Sequence, residues 1–231
     1  MRSITPVLEL DAAWAELGSE LGINAPISLR LLPGECALIE MGGSRQLSAF
    51  ADLCSGLLKL RSGQVRFTGH DWTTLPYDYA AALRGCIGRC FSSGGWLPFL
   101  DVETNILLPA LYHTRRNQDE LRREALTLAQ EFGLPGLPLG QSRELSAADL
   151  GRAALVRAFL GEPLLMLLEE PTQALLEPLA LAVLNRAAMR RDRSGAVVWL
   201  TRRRATGADP SFPASQRLHL GNLGLTPRLA A

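Results

Sequence analysis

Residues 41–49 (MGGSRQLSA) lie between a strand-like run and a helix-like run, at a place where a loop could bind phosphate. Glycines at a strand-to-helix turn let backbone N–H groups approach a phosphate, and such loops end in Gly-Lys-Ser/Thr, whose lysine supplies positive charge. Leu47 stands at the lysine position, and the only lysine of the chain is Lys59. The sequence therefore predicts the layout of a nucleotide hydrolase without its phosphate lysine, which favours a role other than hydrolysis.

The surrounding pattern predicts alternating strands and helices that would position this loop. The first strands predict an antiparallel opening, and the later alternation predicts a parallel sheet covered by helices. The predicted strands are residues 7–10, 27–31, 36–40, 64–67, 164–168 and 196–201, with a short hairpin at 218–225. The predicted helices are residues 48–60, closed by Ser62-Gly63, then 146–160 and 176–191, with a largely helical stretch over 104–132.

Composition limits the classes of partner and compartment. The 231 residues are 47% apolar with a formal net charge of +1, so no charge excess indicates nucleic acid or an anionic membrane surface. No signal pattern and no apolar run near the roughly 18 residues of a membrane span are present, so we expect a cytoplasmic chain. The four cysteines form no Cys-x-x-Cys pair, which predicts reduced, buried thiols and no metal site.

Three segments resemble the ATP-binding subunit of ABC transporters, in the same order and at the same spacing. They are residues 60–72 (LRSGQVRFTGHDW), 143–160 (RELSAADLGRAALVRAFL) and 162–172 (EPLLMLLEEPT). The resemblance implies an α/β, P-loop NTPase-like fold with a parallel-sheet core, an antiparallel N-terminal β part and an inserted helical subdomain. It further implies one nucleotide-binding domain over 1–231, with the core at 1–90 and 145–231 and the helical subdomain at about 91–144.

The resemblance also implies where nucleotide and Mg²⁺ would be held. Gln46 replaces the last glycine of the phosphate loop, and Arg45 could offer a substitute charge. Glu169 stands at the Mg²⁺-binding aspartate and is one methylene longer, while Glu170 matches the catalytic base and is expected to be inactive. The degenerate nucleotide and Mg²⁺ positions are Gly42, Gly43, Ser44, Arg45, Ser48 and Glu169.

Other positions of the family pattern carry different residues here. Ser92 replaces the Gln-loop glutamine, Arg202 the switch histidine and Leu176 the D-loop aspartate. Leu17 stands where an adenine-stacking aromatic is expected, with Trp14 nearby. Because one lost transition-state donor costs about 3 to 4 kcal/mol, the joint loss predicts a homodimer inert as an ATPase.

The segment Leu145-Ser146-Ala147-Ala148-Asp149 corresponds to the signature LSGGQ, which acts in trans on a phosphate bound by the opposite subunit. Ser146 remains, but the alanines crowd the approach and Asp149 adds negative charge. The favoured interpretation is a serine N-cap with an acidic first turn; the alternative is a trans contact through Ser146.

Residues 91–109 (FSSGGWLPFLDVETNILLP) correspond to the region that forms the groove for a coupling helix of the membrane subunit. An alternative is that this run packs the helical subdomain against the core. The pattern resembles most the ATPases of the Mla and Mce lipid-transport systems. The candidate docking residues are Trp96, Leu97, Phe99 and Leu100.

We therefore predict a catalytically degenerate ABC ATP-binding subunit, a structural or regulatory partner of a membrane permease of the lipid-transport kind. The alternatives are a weak but active ATPase and a free-standing binding module. The expected partners are the permease and a second nucleotide-binding subunit, in a homo- or heterodimer, with no nucleic acid. Cofactors stay open between ATP with Mg²⁺ and none, and the expected location is the inner face of the cytoplasmic membrane.

Overall fold

The structure, a computed structural model, describes residues 4–16, 18–173 and 175–228. Within these residues the chain forms a four-stranded antiparallel sheet and a six-stranded, largely parallel sheet, with helices packed on them. The strands are β1 (Leu8–Ala15), β2 (Ile27–Leu31), β3 (Cys36–Glu40), β4 (Leu60–Phe67), β5 (His70–Asp71), β6 (Ile87–Cys90), β7 (Leu165–Glu169), β8 (Ala196–Thr201), β9 (Gln216–Gly221) and β10 (Gly224–Pro227). The helices are α1 (Ser44–Cys54), α2 (Tyr77–Arg84), α3 (Val102–His113), α4 (Gln118–Glu131), α5 (Ala147–Phe159), α6 (Glu177–Asp192) and α7 (Arg204–Ala208).

The larger sheet has the strand order β10-β9-β3-β8-β7-β6 and carries the candidate site at its carboxyl edge. Strands β3, β6, β7, β8 and β9 are parallel, and β10 pairs antiparallel with β9. Every residue of β7 and β8 is buried, as expected for strands covered on both faces. The predicted parallel-sheet core is confirmed, and so is the C-terminal hairpin.

Alternate side chains of these strands enter two separate apolar cores. Leu165 and Leu167 pack with α1 and the antiparallel sheet, whereas Met166 and Leu168 pack with α3, α4 and α5. The inserted helices α3 and α4 thus cover one face of the sheet. The predicted boundary of a helical subdomain at about 91–144 stays a prediction.

The antiparallel sheet has the order β2-β1-β4-β5, which confirms the predicted antiparallel opening. Gly63 does not close a helix, as the sequence suggested, but lies inside β4 opposite an irregular part of β1. Its φ is +79°, and a Cβ there would lie 2.1 Å from the Ala12 carbonyl oxygen. Glycine is therefore required by close backbone approach in a strand and not by a helix end.

Helix α1 begins four residues before the predicted start and ends six residues before the predicted end. Gly43 is extended and serves as the N-cap, so Ser44 is already helical. Ser55 caps the other end and is followed by Gly56 with φ +63°, a conformation that ends helices. Leu57 falls inside the predicted helix 48–60, but in the structure it lies outside the helix and is 55% exposed.

The sequence patterns assigned no element to residues 77–90, where α2 and β6 lie. Strand β6 has four residues and pairs with β7 at the edge of the sheet. Its sequence, IGRC, contains a glycine and an arginine and shows no apolar run. The other predicted strands and helices are confirmed to within a few residues at their ends, and β3 and β8 have the predicted bounds. Among the helices that the structure describes, none is long and apolar enough to cross a membrane.

Candidate functional site

The loop between β3 and α1 is closed by its own side chain. Gly42 donates its backbone N–H to the Gln46 side-chain oxygen at 2.8 Å, and the Gln46 amide nitrogen donates to the Gly22 carbonyl at 2.6 Å. Gln46 therefore accepts a loop N–H that a phosphate oxygen would accept in a phosphate-binding loop. Leu47, at the lysine position, is fully buried in the apolar core.

Ser44 and Arg45 form the exposed first turn of α1. No side-chain hydrogen bond or ion pair joins Arg45 to any other residue that the structure describes. The structure thus places the possible substitute charge in solvent beside Gly43, at the N-terminus of the helix. A role of Arg45 in phosphate binding stays a prediction.

The carboxylate of Glu169, at the end of β7, is completely buried and receives four hydrogen bonds. Ser48 donates its hydroxyl to Oε2 at 2.7 Å, and Ser92 donates its backbone N–H at 3.2 Å and its hydroxyl at 3.1 Å to the same oxygen. Arg89 donates Nε to Oε1 at 2.8 Å. The structure therefore brings Ser48 and Glu169, two of the expected Mg²⁺ positions, together, and adds Ser92 and Arg89 to them.

With Arg89 bonded to Glu169, these residues do not fit a Mg²⁺ ion. A Mg²⁺ ligand must direct an oxygen lone pair at the metal in near-octahedral geometry. The Glu169 oxygens are instead bonded to donors from three side chains and one backbone amide, and a guanidinium already supplies the positive charge. The chemistry of this cluster is that of a buried ion pair.

Glu170 follows Glu169 and is paired with the residue at the switch-histidine position. Its Oε1 accepts from the backbone N–H of Arg202 and from Arg202 Nε at 3.3 Å, while Oε2 lies 3.5 Å from the Thr201 hydroxyl. The Glu170 side chain is 4% exposed. A base for water activation needs a free lone pair directed at that water. Arg202 occupies Oε1, whereas Oε2 has only the long contact to Thr201, and Glu170 lines an open cavity.

The backbone at Glu170 has φ +47°, which is unfavourable for a residue with a side chain. Its N–H donates to the Leu200 carbonyl at 2.9 Å, and its own carbonyl accepts from Gln173 at 3.1 Å. Strained backbone persists where the surrounding contacts hold it. The Arg202 contacts and these backbone bonds together hold the turn after β7.

Ser146 caps α5, as the sequence analysis favoured. Its hydroxyl oxygen accepts from the Asp149 backbone N–H at 3.1 Å, and the hydroxyl donates to Asp149 Oδ2 at 2.8 Å. Arg152 donates to Asp149 Oδ1 at 3.1 Å. The predicted N-cap is confirmed, and a trans contact of Ser146 stays a prediction.

The candidate docking residues follow the Ser92 loop. Trp96 is half-buried beneath Arg157, whose guanidinium carbon lies 4.5 Å from the ring centroid, and Leu100 is partly buried. Leu97 and Phe99 are 38% and 73% exposed. The structure thus divides the run between packing and exposure, and its role in docking stays a prediction.

Asn105, in α3, holds this segment in place. Its Oδ1 accepts from the Leu97 N–H at 2.9 Å, and its Nδ2 lies within 3.2 Å of the carbonyls of Leu97, Leu100 and Asp101. Asn105 is 3% exposed, so its amide is used entirely inside the protein. The sequence carries little signal for this role, because Asn105 follows the polar residues Glu103 and Thr104 and its partners depend on the fold.

A groove of about 230 Å³ lies between β6, α3 and α5, and Arg157 on its wall connects it with Trp96. Arg84, Arg89 and Arg157 contribute charge to its wall, and exposed Leu57 lies at its edge. A second cavity of about 320 Å³ lies between the Ser92 loop and the start of α5. Both are open toward solvent and adjoin the Glu169 cluster.

The remaining candidates lie apart from this cluster. Trp14 is partly buried with the Arg61 guanidinium carbon 5.0 Å from its ring centroid, and Leu17 lies outside the described residues. Three of the cysteines are buried, and burial raises the pKa of the Cys36 and Cys90 thiols to about 12. In the described part of the chain, no three His, Cys, Asp or Glu side chains are grouped to hold a metal.

The fold and the position of the site define an ATP-binding cassette. The dimeric MJ0796 cassette in a post-hydrolysis state bound to ADP and Pi has a TM-score of 0.80 to this chain, at 21% identity, covering 96% of this chain and 98% of its own. A second solved structure, described as the ATP-binding subunit of an ABC transporter, has a TM-score of 0.81 at 18% identity and covers 97% and 90%. These structures establish the P-loop NTPase-like ABC fold.

Sequence comparison establishes the family. The ABC transporter family model matches residues 47–173. The lipoprotein-releasing system ATP-binding protein LolD 1 of Rhodopirellula baltica is 32% identical over 167 residues, which cover 72% of each chain. The macrolide export ATP-binding/permease protein MacB of Sodalis glossinidius is 31% identical over 176 residues, which cover 74% of this chain and 27% of MacB. The chain belongs to the ABC transporter family, as an ATP-binding domain.

Proposed function

We propose that this chain is a catalytically degenerate ABC ATP-binding subunit that serves as a structural or regulatory partner of a membrane permease. The observation that carries the proposal is the pairing of Glu170 with Arg202. The residue at the position of the general base is bonded to the residue at the position of the phosphate-sensing histidine. Arg202 occupies one carboxylate oxygen of Glu170, and the pair stabilises the turn after β7.

The phosphate loop supports the same proposal. Leu47 carries no charge, and its side chain is fully buried in the apolar core, so it offers nothing to a phosphate. Gln46 uses a loop N–H and ties the loop to Gly22. Each lost transition-state donor costs about 3 to 4 kcal/mol, and the losses at Leu47, Ser92 and Arg202 fall on one reaction.

The partner we propose is a permease at the inner face of the cytoplasmic membrane, docked on the segment Trp96–Leu100 and the adjoining groove. Exposed Phe99 and Leu97 offer the apolar anchors that suit a helix in a groove. MacB is named as a combined ATP-binding/permease protein, and MJ0796 is described as dimeric, which supports a permease and a second nucleotide-binding subunit. LolD is named for lipoprotein release, which supports a lipid-linked cargo.

ATP binding by the purified chain with Mg²⁺, measured by calorimetry together with phosphate release, tests the loss of catalysis. We expect no heat at millimolar ATP and no phosphate release by the wild type, because the loop and both carboxylates are bonded internally. Glu170→Gln and Arg45→Ala are measured in parallel, with thermal unfolding as the control for folding. Binding tighter than about 100 μM, or about 5 to 6 kcal/mol, with hydrolysis lost in both variants, would identify a working ATPase.

A further inference from the structure

A guanidinium group lies between two carboxylates beneath the phosphate loop. Besides its bond to Glu169, Arg89 donates Nη1 to Asp52 Oδ1 at 2.5 Å and Nη2 to the Ser48 carbonyl at 3.1 Å. The Arg89 side chain is 10% exposed, and the Glu169 side chain is 0% exposed. A carboxylate removed from water in this way requires a cationic or hydrogen-bonding partner, and Arg89 supplies both.

The oxygen atoms bonded to Arg89 are of the types that bind a divalent cation when no guanidinium occupies them. Glu169 and Asp52 contribute carboxylates and Ser48 contributes its carbonyl oxygen to one guanidinium, while the Ser48 hydroxyl is bonded to Glu169. Oxygen ligands of this kind suit a hard cation such as Mg²⁺ or Mn²⁺. One guanidinium, which stays protonated and is part of the chain, is bonded to both carboxylates and supplies a single positive charge between them.

Arg89 also connects this cluster to the segment that we propose for docking. The Phe91 ring centroid lies 4.2 Å from the Arg89 guanidinium carbon and 5.5 Å from that of Arg157. Arg157 in turn lies over the Trp96 ring and donates to the carbonyls of Gly94 and Gly95. A continuous stack of guanidinium groups and aromatic rings thus runs from Glu169 to Trp96.

We propose that the Arg89 guanidinium takes the place of a divalent cation between Ser48, Asp52 and Glu169, and that it holds the Ser92 loop and Trp96 in one position without metal. The inference rests on the proposed function for the role of the segment Trp96–Leu100. Arg89 acts as a positioning residue. The charge of Arg89 thus orders the Ser92 loop and Trp96 without a bound ion, while Asn105 holds Leu97 and Leu100.

Uptake of Mn²⁺, followed by electron paramagnetic resonance of the free ion, tests the exclusion of metal. The wild type takes up no Mn²⁺ at about 1 mM, because the ligands are paired with Arg89. Arg89→Met is expected to gain a site, since the two carboxylates and the Ser48 carbonyl lose their shared donor. Arg89→Lys excludes Mn²⁺ again because it keeps the positive charge, and Arg66→Met, which removes a partly exposed arginine paired with Glu9, behaves as the wild type.

Two results overturn the inference. One is Mn²⁺ uptake by the wild type that Glu169→Gln abolishes. The other is a folded Arg89→Met variant that takes up no Mn²⁺, which would mean that Ser48, Asp52 and Glu169 do not form a cation site. Either result concerns metal binding alone and leaves the proposal of docking on a permease standing. Evidence against docking would, in turn, leave the expected Mn²⁺ uptake unchanged.

Hydrogen exchange at the Ser92 amide keeps the inference testable if Arg89→Met does not fold. This N–H donates to Glu169 Oε2, so it reports on the loop directly. In the wild type its exchange rate is unchanged by Mg²⁺ or by Mg²⁺ with ATP. This wild-type measurement needs no variant. If Arg89→Met does fold, we expect the exchange rate of the Ser92 amide to become about tenfold faster without metal, because the buried Glu169 carboxylate has lost its partner and the loop opens locally. A metal-dependent rate in the wild type contradicts the proposal.

Discussion

Arginine performs tasks at this site that lysine could not perform. Arg89 binds two carboxylates and a carbonyl at once, and Arg202 contacts Glu170 through both its backbone and its side chain. A guanidinium offers five donors in a fixed plane, so one side chain can satisfy several buried acceptors. Two arginines of this lysine-poor chain therefore hold Glu169, the last residue of β7, and Glu170, which follows it.

At the residue scale, we predict that Arg202→Ala lowers the free energy of unfolding by about 1 to 3 kcal/mol. The buried Glu170 carboxylate would keep the backbone donor but lose the guanidinium. The loss is expected to shrink when Glu170 is already glutamine, because no charge then needs a partner. Urea unfolding of the two single variants and the double variant measures this coupling. Equal losses in both backgrounds would show that the pair carries no coupling, and exposed Arg45→Ala is the control, with a change within about 0.5 kcal/mol.

At the element scale, α3 determines the position of the docking segment. Asp101 is the N-cap of the helix, and its side chain accepts from the Thr104 N–H at 2.6 Å. Asn105 lies one turn further along the chain. From there Asn105 reaches both the N–H and the carbonyl of Leu97. One buried amide on a capped helix thus fixes the segment at Leu97 and Leu100. Phe99, which lies between them, stays exposed.

We predict that Asn105→Ala accelerates hydrogen exchange at the Leu97 amide and lowers the free energy of unfolding by about 1 to 3 kcal/mol, because several buried groups lose their partner together. The matched control is Asn117→Ala, which removes the exposed N-cap of α4. That change is expected to cost about 1 kcal/mol and to leave the Leu97 amide unaffected. An unchanged Leu97 exchange rate in Asn105→Ala would mean that other contacts hold the segment.

At the scale of the whole molecule, the groove and the exposed aromatic side chains lie together around the inserted helices. Tyr112 in α3 is 73% exposed, as is Phe99, and the groove passes along Ile106, Pro109 and Ala110 of the same helix. Leu223 is 88% exposed at the tip of the β9–β10 hairpin. This hairpin forms one edge of the larger sheet, and β6, which precedes α3 in the chain, forms the other edge. These two surfaces provide a comparison for docking.

We predict that a photo-crosslinking amino acid at position 99 captures a multi-spanning membrane protein in intact cells, whereas the same group at position 223 does not. Apolar side chains exposed next to a groove gain more from burial against a helix than an isolated leucine at a hairpin tip. Mass spectrometry of the crosslinked product identifies the partner and the contacted segment. Capture at both positions, or at neither, contradicts the proposed docking surface, and Phe99→Asp is expected to reduce co-purification of the same partner.

The sequence by itself determined the elements with strong local signals. The apolar runs of β3 and β8 gave their bounds, the Ser146 cap placed the start of α5, and the missing lysine at Leu47 marked the altered loop. Periodicity, capping and residue type are local properties, so they can be read without the fold. The same local view missed β6, because its four residues show no apolar run.

Only the tertiary structure decided which charges meet. Arg89 and Glu169 are 80 residues apart, and they bond because β6 lies next to β7 in the sheet. Glu170 and Arg202 are 32 residues apart and meet because β7 lies next to β8. The sequence identifies carboxylates that lack their expected partners, but strand order brings the arginines to them, since neighbouring parallel strands end at one edge of the sheet.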